Sequence, residues 1–371
     1  MQRNQSYVLL ASFLTLAFLF NLCSLPAFAE SDISVSAKSA VLYEPETRTF
    51  IYEKNGDERL PMASTTKIMT ALVAIERENL EKQITVDSRA VGVEGSSAYL
   101  KENEAFTLKE LLYALMLQSA NDAAEAIAYA IAGSIEAFAD LMNQKASSLG
   151  LSDTNFTNPH GLDDDDHYTT AKDLAIISAC ALAYPEFCEI VSAKTKKVEK
   201  NGITRLFVNH NKLLARYEGC IGIKTGFTKK SGRCLVSAAE RDGVKLICVT
   251  IDAPNDWNDH KKLLDTGFSS TEKKTVLSAD SFEYSLPVLN SENESVRIGI
   301  IENISAIYFK GNDDIKYEIQ LPRFAVAPIK AGDKIGKLVV FKSGETISVH
   351  DLIALENINA IKKKGLFSLF K

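Results

Sequence analysis

The chain has 371 residues, 46% of them hydrophobic, enough to bury a large core and more in keeping with two domains than one. Charged residues make up 24%, and the balance is mildly acidic, 42 Lys and Arg against 48 Asp and Glu. Nucleic acid is therefore not the expected partner, because its binders present a basic face or domain.

Residues 1–29 have their own grammar: Arg3, an apolar run from Tyr7 to Phe20, then small residues at Ala27 and Ala29. This reads as a secretory signal peptide, with the mature chain starting near Glu30. The alternative is an uncleaved anchor, for which the run is short. Export permits disulfides. Beyond Cys23 in the signal lie Cys180, Cys188, Cys220, Cys234 and Cys248, an odd number that cannot all pair. Cys180 and Cys188 are the pair nearest in sequence, whereas Cys234 and Cys248 sit in apolar runs that suit buried free thiols. None has metal-ligand spacing.

"SAKSAVLYEP" followed by "RTFIYEKN" reads as a strand hairpin. Next comes "PMASTTKIMTALVAIE", the start of a helix with Ser64 in the place of an N-cap. A capping box would put Glu or Gln three residues on, as Thr107 and Glu110 do further along, yet here the residue is Lys67. Residues three apart share a helix face, so Lys67 can reach the Ser64 hydroxyl. A serine hydroxyl is a weak nucleophile until a base takes its proton, and lysine serves as that base only when neutral. From its ordinary pKa, deprotonation at pH 7 costs roughly 4 to 5 kcal/mol. Burial, the helix dipole and a second cation all lower that cost. A plain cap is the competing reading, since Ser-x-x-Lys alone is common.

Helical runs follow over Thr107 to Ala132, over Ser134 to Ser148, stopped by Gly150, and over Thr170 to Ala183, stopped by Pro185. Within the first, "LQSANDAAEAIA" places Ser119 and Asn121 between two helical runs, where Asn121 or Asp122 could instead be a cap. His160, Asp163 to Asp166 and His167 could suggest a metal, but no metalloprotease helix motif is present. A solvated acidic loop with a structural His160 is expected. The period then changes. "GCIGIKTGF", "GRCLVSAAE" and "VKLICVTID" are β-rich runs, the last two joined by the hairpin turn Arg241-Asp242-Gly243. Lys224, Thr225 and Gly226 lie on the first of them, where a strand end is the bland alternative. Strands at both ends with helices between predict an antiparallel sheet whose first and last segments meet.

Near Ser269 to Thr275 the composition turns polar, marking a boundary. Beyond it only short strands appear, "YSLPVLN", "VRIGIIE", "AIYFKG", "KYEIQLP" and "KIGKLVVFK", which predict a small all-β module with no catalytic cluster. The tail "IKKKGLFSLFK" sets Lys362, Lys363 and Lys364 before Leu366, Phe367, Leu369 and Phe370, chemistry suited to an anionic lipid surface. A frayed or docked segment is the alternative. The expected domains are 1–29 (signal), 30–272 (mixed α and β), 273–350 (all-β) and 351–371 (basic and aromatic tail).

Ser64-x-x-Lys67, Ser119-x-Asn121 and Lys224-Thr225-Gly226 together form the three-box signature of penicillin-interacting serine enzymes. The chain resembles the low-molecular-mass penicillin-binding proteins that act as D-alanyl-D-alanine carboxypeptidases. The likeness runs on through "NPHGLDDDDHYTTAKDLA", "HNKLL", "GIKTGFTKKSGRCLVSAAERDG" and "APIKAGDKIGKLVV". It implies an α/β (α+β) domain of the β-lactamase/transpeptidase type, an antiparallel sheet flanked by helices, plus a small C-terminal all-β domain. It implies that Ser64 attacks the carbonyl between the terminal D-alanines of a peptidoglycan stem peptide, with Lys67 as general base and Ser119 passing a proton to the leaving D-alanine. Asn121 would bind the peptide and steady Lys67. Lys224 and Thr225 would hold the substrate carboxylate, and Gly226 would let the substrate lie close along the strand. The backbone N–H groups of Ser64 and Phe227 would form the oxyanion hole. β-Lactams would acylate Ser64, no cofactor or metal is implied, and the location would be the outer face of a bacterial membrane or its wall. Some relatives carry an arginine after the final strand that helps bind the carboxylate, where this chain reads "DAPNDWNDHKK" with Lys261 as a candidate substitute. A DD-endopeptidase, a β-lactamase and a non-catalytic wall binder are the alternatives.

Overall fold

The computed structural model describes residues 33–311 and 314–361, so the expected signal peptide and the basic and aromatic residues from 362 onward lie outside the described residues. The expected hairpin is present as β1 (Ser39–Glu44) and β2 (Thr49–Lys54), paired antiparallel with Val41 opposite Glu53. A 3-10 turn over Ala63–Thr66 leads into α1 (Lys67–Arg77), which buries Ile68, Met69, Leu72 and Val73. The short ladder of β3 (Gln83–Thr85) and β4 (Ala105–Thr107) closes the loop between them.

Five helices follow: α2 (Leu108–Leu117), α3 (Asn121–Ala132), α4 (Ile135–Ser148), α5 (Ala171–Leu182) and α6 (Pro185–Ser192). Thr107, Ser134 and Thr170 each accept a backbone N–H at the helix starts, and Thr107 with Glu110 completes the capping box. The run expected from Thr107 to Ala132 is broken at residues 118–120, where Ser119 has φ +62. Pro185 ends α5 and opens α6, at a position where its missing N–H costs nothing. Next come the hairpin β5 (Thr195–Lys200) and β6 (Ile203–Val208), then α7 (Leu213–Arg216). β7 (Cys220–Thr228), β8 (Gly232–Arg241) and β9 (Val244–Ile251) precede α8 (Asp256–Ser270).

The main sheet has the order β2-β1-β9-β8-β7. Its first and last segments meet as expected, Val41 standing opposite Val249. Alternation along the strands separates two faces. Val41, Tyr43, Ile247 and Val249 join the core built with α1 to α6, while Leu42 and Leu246 lie against Gly267 of α8 on the other face. Cys234 and Cys248 are buried free thiols, and Cys180 and Cys188 are also free.

After α8, β10 (Thr271–Leu277) begins the second part of the chain, with β11 (Tyr284–Leu289), β12 (Ser295–Gly299), β13 (Ile304–Phe309), β14 (Ile315–Gln320), β15 (Ala325–Val326), β16 (Lys334–Lys342) and β17 (Glu345–Ala354). β10 pairs with β13, and the other strands form one sheet, β14-β16-β17-β12-β11-β15. Leu286, Val296, Ile298, Leu338, Val340 and Leu352 pack its separate core. The module end expected at residue 350 falls inside β17, which pairs with β16 as far as Ile353. The helix-flanked antiparallel sheet and the all-β part are both as the sequence implies.

Candidate active site

Ser64 does not act as an N-cap. It sits inside the 3-10 turn, and no side chain caps α1. The two threonines that follow fold back instead: Thr65 Oγ1 donates to the Met62 carbonyl at 2.6 Å and Thr66 Oγ1 to the Ala63 carbonyl at 2.8 Å. Ala63 has φ +47, left-handed backbone that costs a non-glycine residue about 1 kcal/mol or more and is held by its surroundings.

Lys67, at the first position of α1, is completely buried. Its Nζ lies 2.9 Å from Ser64 Oγ, 2.7 Å from Asn121 Oδ1 and 2.6 Å from the His160 carbonyl. Burial lowers its pKa well below the ordinary lysine value. Lys224 lowers it further, against an opposing pull from Asp122. In the neutral amine, two N–H groups serve Asn121 and His160, and the lone pair remains for the Ser64 hydroxyl. Asn121 is itself fixed, because its Nδ2 donates to the Glu94 carbonyl at 2.6 Å.

An open cleft of about 380 Å³ lies in front of this group. Ser64, Ser119, Thr225, Gly226 and Phe227 all line it. Lys67, Asn121 and Lys224 are buried behind that wall, at 0%, 4% and 1% exposure. Burial pushes Lys224 down to about 7, and its Nζ donates to the Thr225 carbonyl at 2.9 Å. It therefore acts on Lys67 as a nearby charge and does not present itself to the cleft. Gly226 also meets a packing demand of its own. A Cβ there would stand 3.0 Å from Ser64 N and 3.1 Å from Thr65 N, so the missing side chain lets β7 close on the Ser64 turn.

The cleft also contains residues that the sequence reading missed. Arg233, opposite Phe227 in the β7–β8 ladder, lines it together with Asp256 and Trp257. Its Nε and Nη2 grip Asp256 Oδ2 at 3.0 and 2.8 Å. Asp256 is buried while the Arg233 side chain stays 44% exposed. Lys261 is exposed on α8 and does not line the cleft. His210 and Lys212 also reach it, and the only sequence signal for them was the family-like "HNKLL".

Asp163 to Asp166 are exposed, as a solvated loop should be, whereas His160 and His167 beside them are buried. Among the described residues, no group of three or more His, Cys, Asp or Glu is placed to hold a metal.

A family model described as D-alanyl-D-alanine carboxypeptidase matches residues 26–255, and one described as the penicillin-binding protein 5 C-terminal domain matches residues 272–360. The D-alanyl-D-alanine carboxypeptidase DacF of Bacillus subtilis is 34% identical over 92% of this chain and 90% of its own length. DacC of Escherichia coli, described by the same activity, is 32% identical over the same shares. The solved structure of penicillin binding protein 5 from Haemophilus influenzae is 29% identical, with a TM-score of 0.66 over 88% of this chain and 98% of that one.

Proposed function

The chain belongs to the D-alanyl-D-alanine carboxypeptidase family, and on that premise we propose that Ser64 is the nucleophile that removes the last D-alanine from a peptidoglycan stem peptide. Neutral Lys67 takes the Ser64 proton as Oγ bonds to the scissile carbonyl carbon. The C–N bond then breaks, a proton reaches the departing amine by way of Ser119, and D-alanine leaves. Water afterwards cleaves the Ser64 ester and frees the shortened peptide. Negative charge on the carbonyl oxygen in each tetrahedral stage is met by the backbone N–H groups of Ser64 and Phe227, commonly a large contribution in acyl transfer.

The observation that carries this reading is the 2.9 Å approach of a wholly buried amine to Ser64 Oγ. The amine's pKa is depressed by burial, which favours the neutral form that serves as base and calls for no histidine. Asn121 holds Lys67 in place. The substrate carboxylate is met by Thr225 and by Arg233, which lines the cleft where Lys261 does not. β-Lactams enter the same cleft as substrate mimics and acylate Ser64. The relatives' activity and the leader-like residues 1–29 support work outside the cytoplasm on the cell wall. The basic and aromatic residues from Lys362 onward support peripheral contact with anionic lipid.

D-alanine release from a synthetic stem pentapeptide tests the proposal. Wild-type chain should release it and Ser64→Ala should not, while both fold. Rapid turnover of nitrocefin without D-alanine release would favour a β-lactamase, and neither activity would favour a wall-binding protein.

A further inference from the structure

Beneath the Ser64 turn runs a buried line of polar groups that the reaction described above does not use. The Thr157 backbone N–H donates to His167 Nδ1 at 3.1 Å, which makes Nδ1 an acceptor and puts the ring proton on Nε2. That nitrogen lies 2.8 Å from Thr66 Oγ1, and Thr66 Oγ1 in turn donates to the Ala63 carbonyl at 2.8 Å. His167 is 3% exposed and Thr66 fully buried. Burial drives the imidazole down to about 4, so the ring is neutral at ordinary pH. Gly161 closes on the same carbonyl so tightly that a Cβ would stand 1.9 Å from the Ala63 oxygen.

The Ala63 carbonyl and the Ser64 N–H are opposite ends of one planar peptide, so holding the oxygen sets the direction of the N–H. On the far side of that peptide, Ser64 N lies against Gly226, next in chain to Phe227. We propose that His167 and Thr66 are positioning residues: their hydrogen-bond chain to the Ala63 carbonyl aims the Ser64 N–H into the oxyanion hole and, by withdrawing electron density through the peptide, makes it a stronger donor. This rests on the oxyanion role assigned to Ser64 N–H above. The loop carrying His167 has other ties to α1, since Thr70 Oγ1 donates to the Pro159 carbonyl at 2.6 Å and Lys67 to that of His160. Loss of the Thr66 hydroxyl therefore leaves the loop attached while freeing the peptide.

The test uses the full chain with Thr66→Val, which keeps the shape and removes the hydroxyl, and Thr66→Ser, which restores it. D-alanine release gives kcat and KM, and a peptide boronate, whose tetrahedral adduct sets an oxygen in the hole, gives an inhibition constant. Thr66→Val should lower kcat about tenfold or more, below the full loss of one oxyanion donor, with KM within about twofold. The boronate should weaken in step, and Thr66→Ser should recover most of the loss. An unchanged kcat, a loss confined to KM, or a loss that serine does not repair would overturn the proposal. Should Thr66→Val not fold, His167→Asn breaks the chain at its other end and is read the same way. A wild-type chain that neither releases D-alanine nor is acylated by penicillin would instead remove the nucleophile assignment, a failure distinct from that of the variants.

Discussion

Lys67 and Lys224 are two lysines buried within reach of each other's charge, an arrangement that stability alone disfavours. Lys224 has a folded pKa of about 7 against an unfolded value near 10.5, so between those values the unfolded chain binds more protons than the folded one. Stability must then rise with pH through that window. The burial costs on the order of 4 kcal/mol at pH 7 and nothing above about pH 10.5. Lys224→Met should therefore be more stable than wild type at pH 7 in thermal unfolding, with the difference shrinking towards pH 10. The same change removes a cation that lowers Lys67, so Lys67 should titrate higher and half-maximal penicillin acylation should move to higher pH. A midpoint that stays put would separate Lys224 from Lys67. The spacing Ser64-x-x-Lys67 made the contact of Ser64 with Lys67 legible in sequence, because residues three apart share a helical face. The partnership of Arg233 with Asp256 spans 23 positions and has no local signature, so it appeared only once β8 and α8 were in place.

Elements with apolar periodicity were legible, and those whose buried faces are polar were not. α8 escaped because it buries Asp259, which accepts from Ser36 N–H at 2.9 Å, and His260, whose ring nitrogens lie 2.6 and 2.9 Å from Ser237 and Thr250 hydroxyls. β5 reads as a charged run, "TKKVEK", with only Val198 fully buried. Its partner β6 supplies Arg205, which ties down the loop before α2 by donating to the Ala98 and Tyr99 carbonyls and to Glu104. The segment between α4 and α5 matters for where it is pressed. Gly161 has φ +86 and no room for a Cβ, whereas Gly133, after α3, has φ +81 and nothing within 4 Å. Gly161→Ala should cost about 3 kcal/mol or more and abolish acylation. Gly133→Ala should cost about 1 kcal/mol and leave acylation intact. Equal losses in melting temperature would mean that the loop does not bear on the Ser64 turn.

Across the whole molecule, the cleft and the all-β part use opposite edges of the main sheet. Ser64 abuts β7, while Lys342 of β16 donates to Thr49 Oγ1 at 2.8 Å at the β2 edge and stands 3.6 Å over the Phe309 ring. Lys273 adds an ion pair to Glu46 at 3.2 Å. The second part of the chain thus docks at the edge of the sheet remote from Ser64. Five of its strands were readable from their apolar runs, whereas β10, β15 and β17 were not: β17 buries only Leu352 and Ala354 along its ten residues, and the boundary expected at residue 350 falls inside it. The central claim remains chemical: one hydroxyl, activated by one buried amine, takes the acyl group. Peptide mapping by mass spectrometry after brief exposure of the full chain to benzylpenicillin tests it most directly. The adduct should sit on Ser64 alone and be absent from Lys67→Ala at the same exposure; an adduct on Ser119 or elsewhere, or undiminished acylation of Ser64 without Lys67, would contradict it.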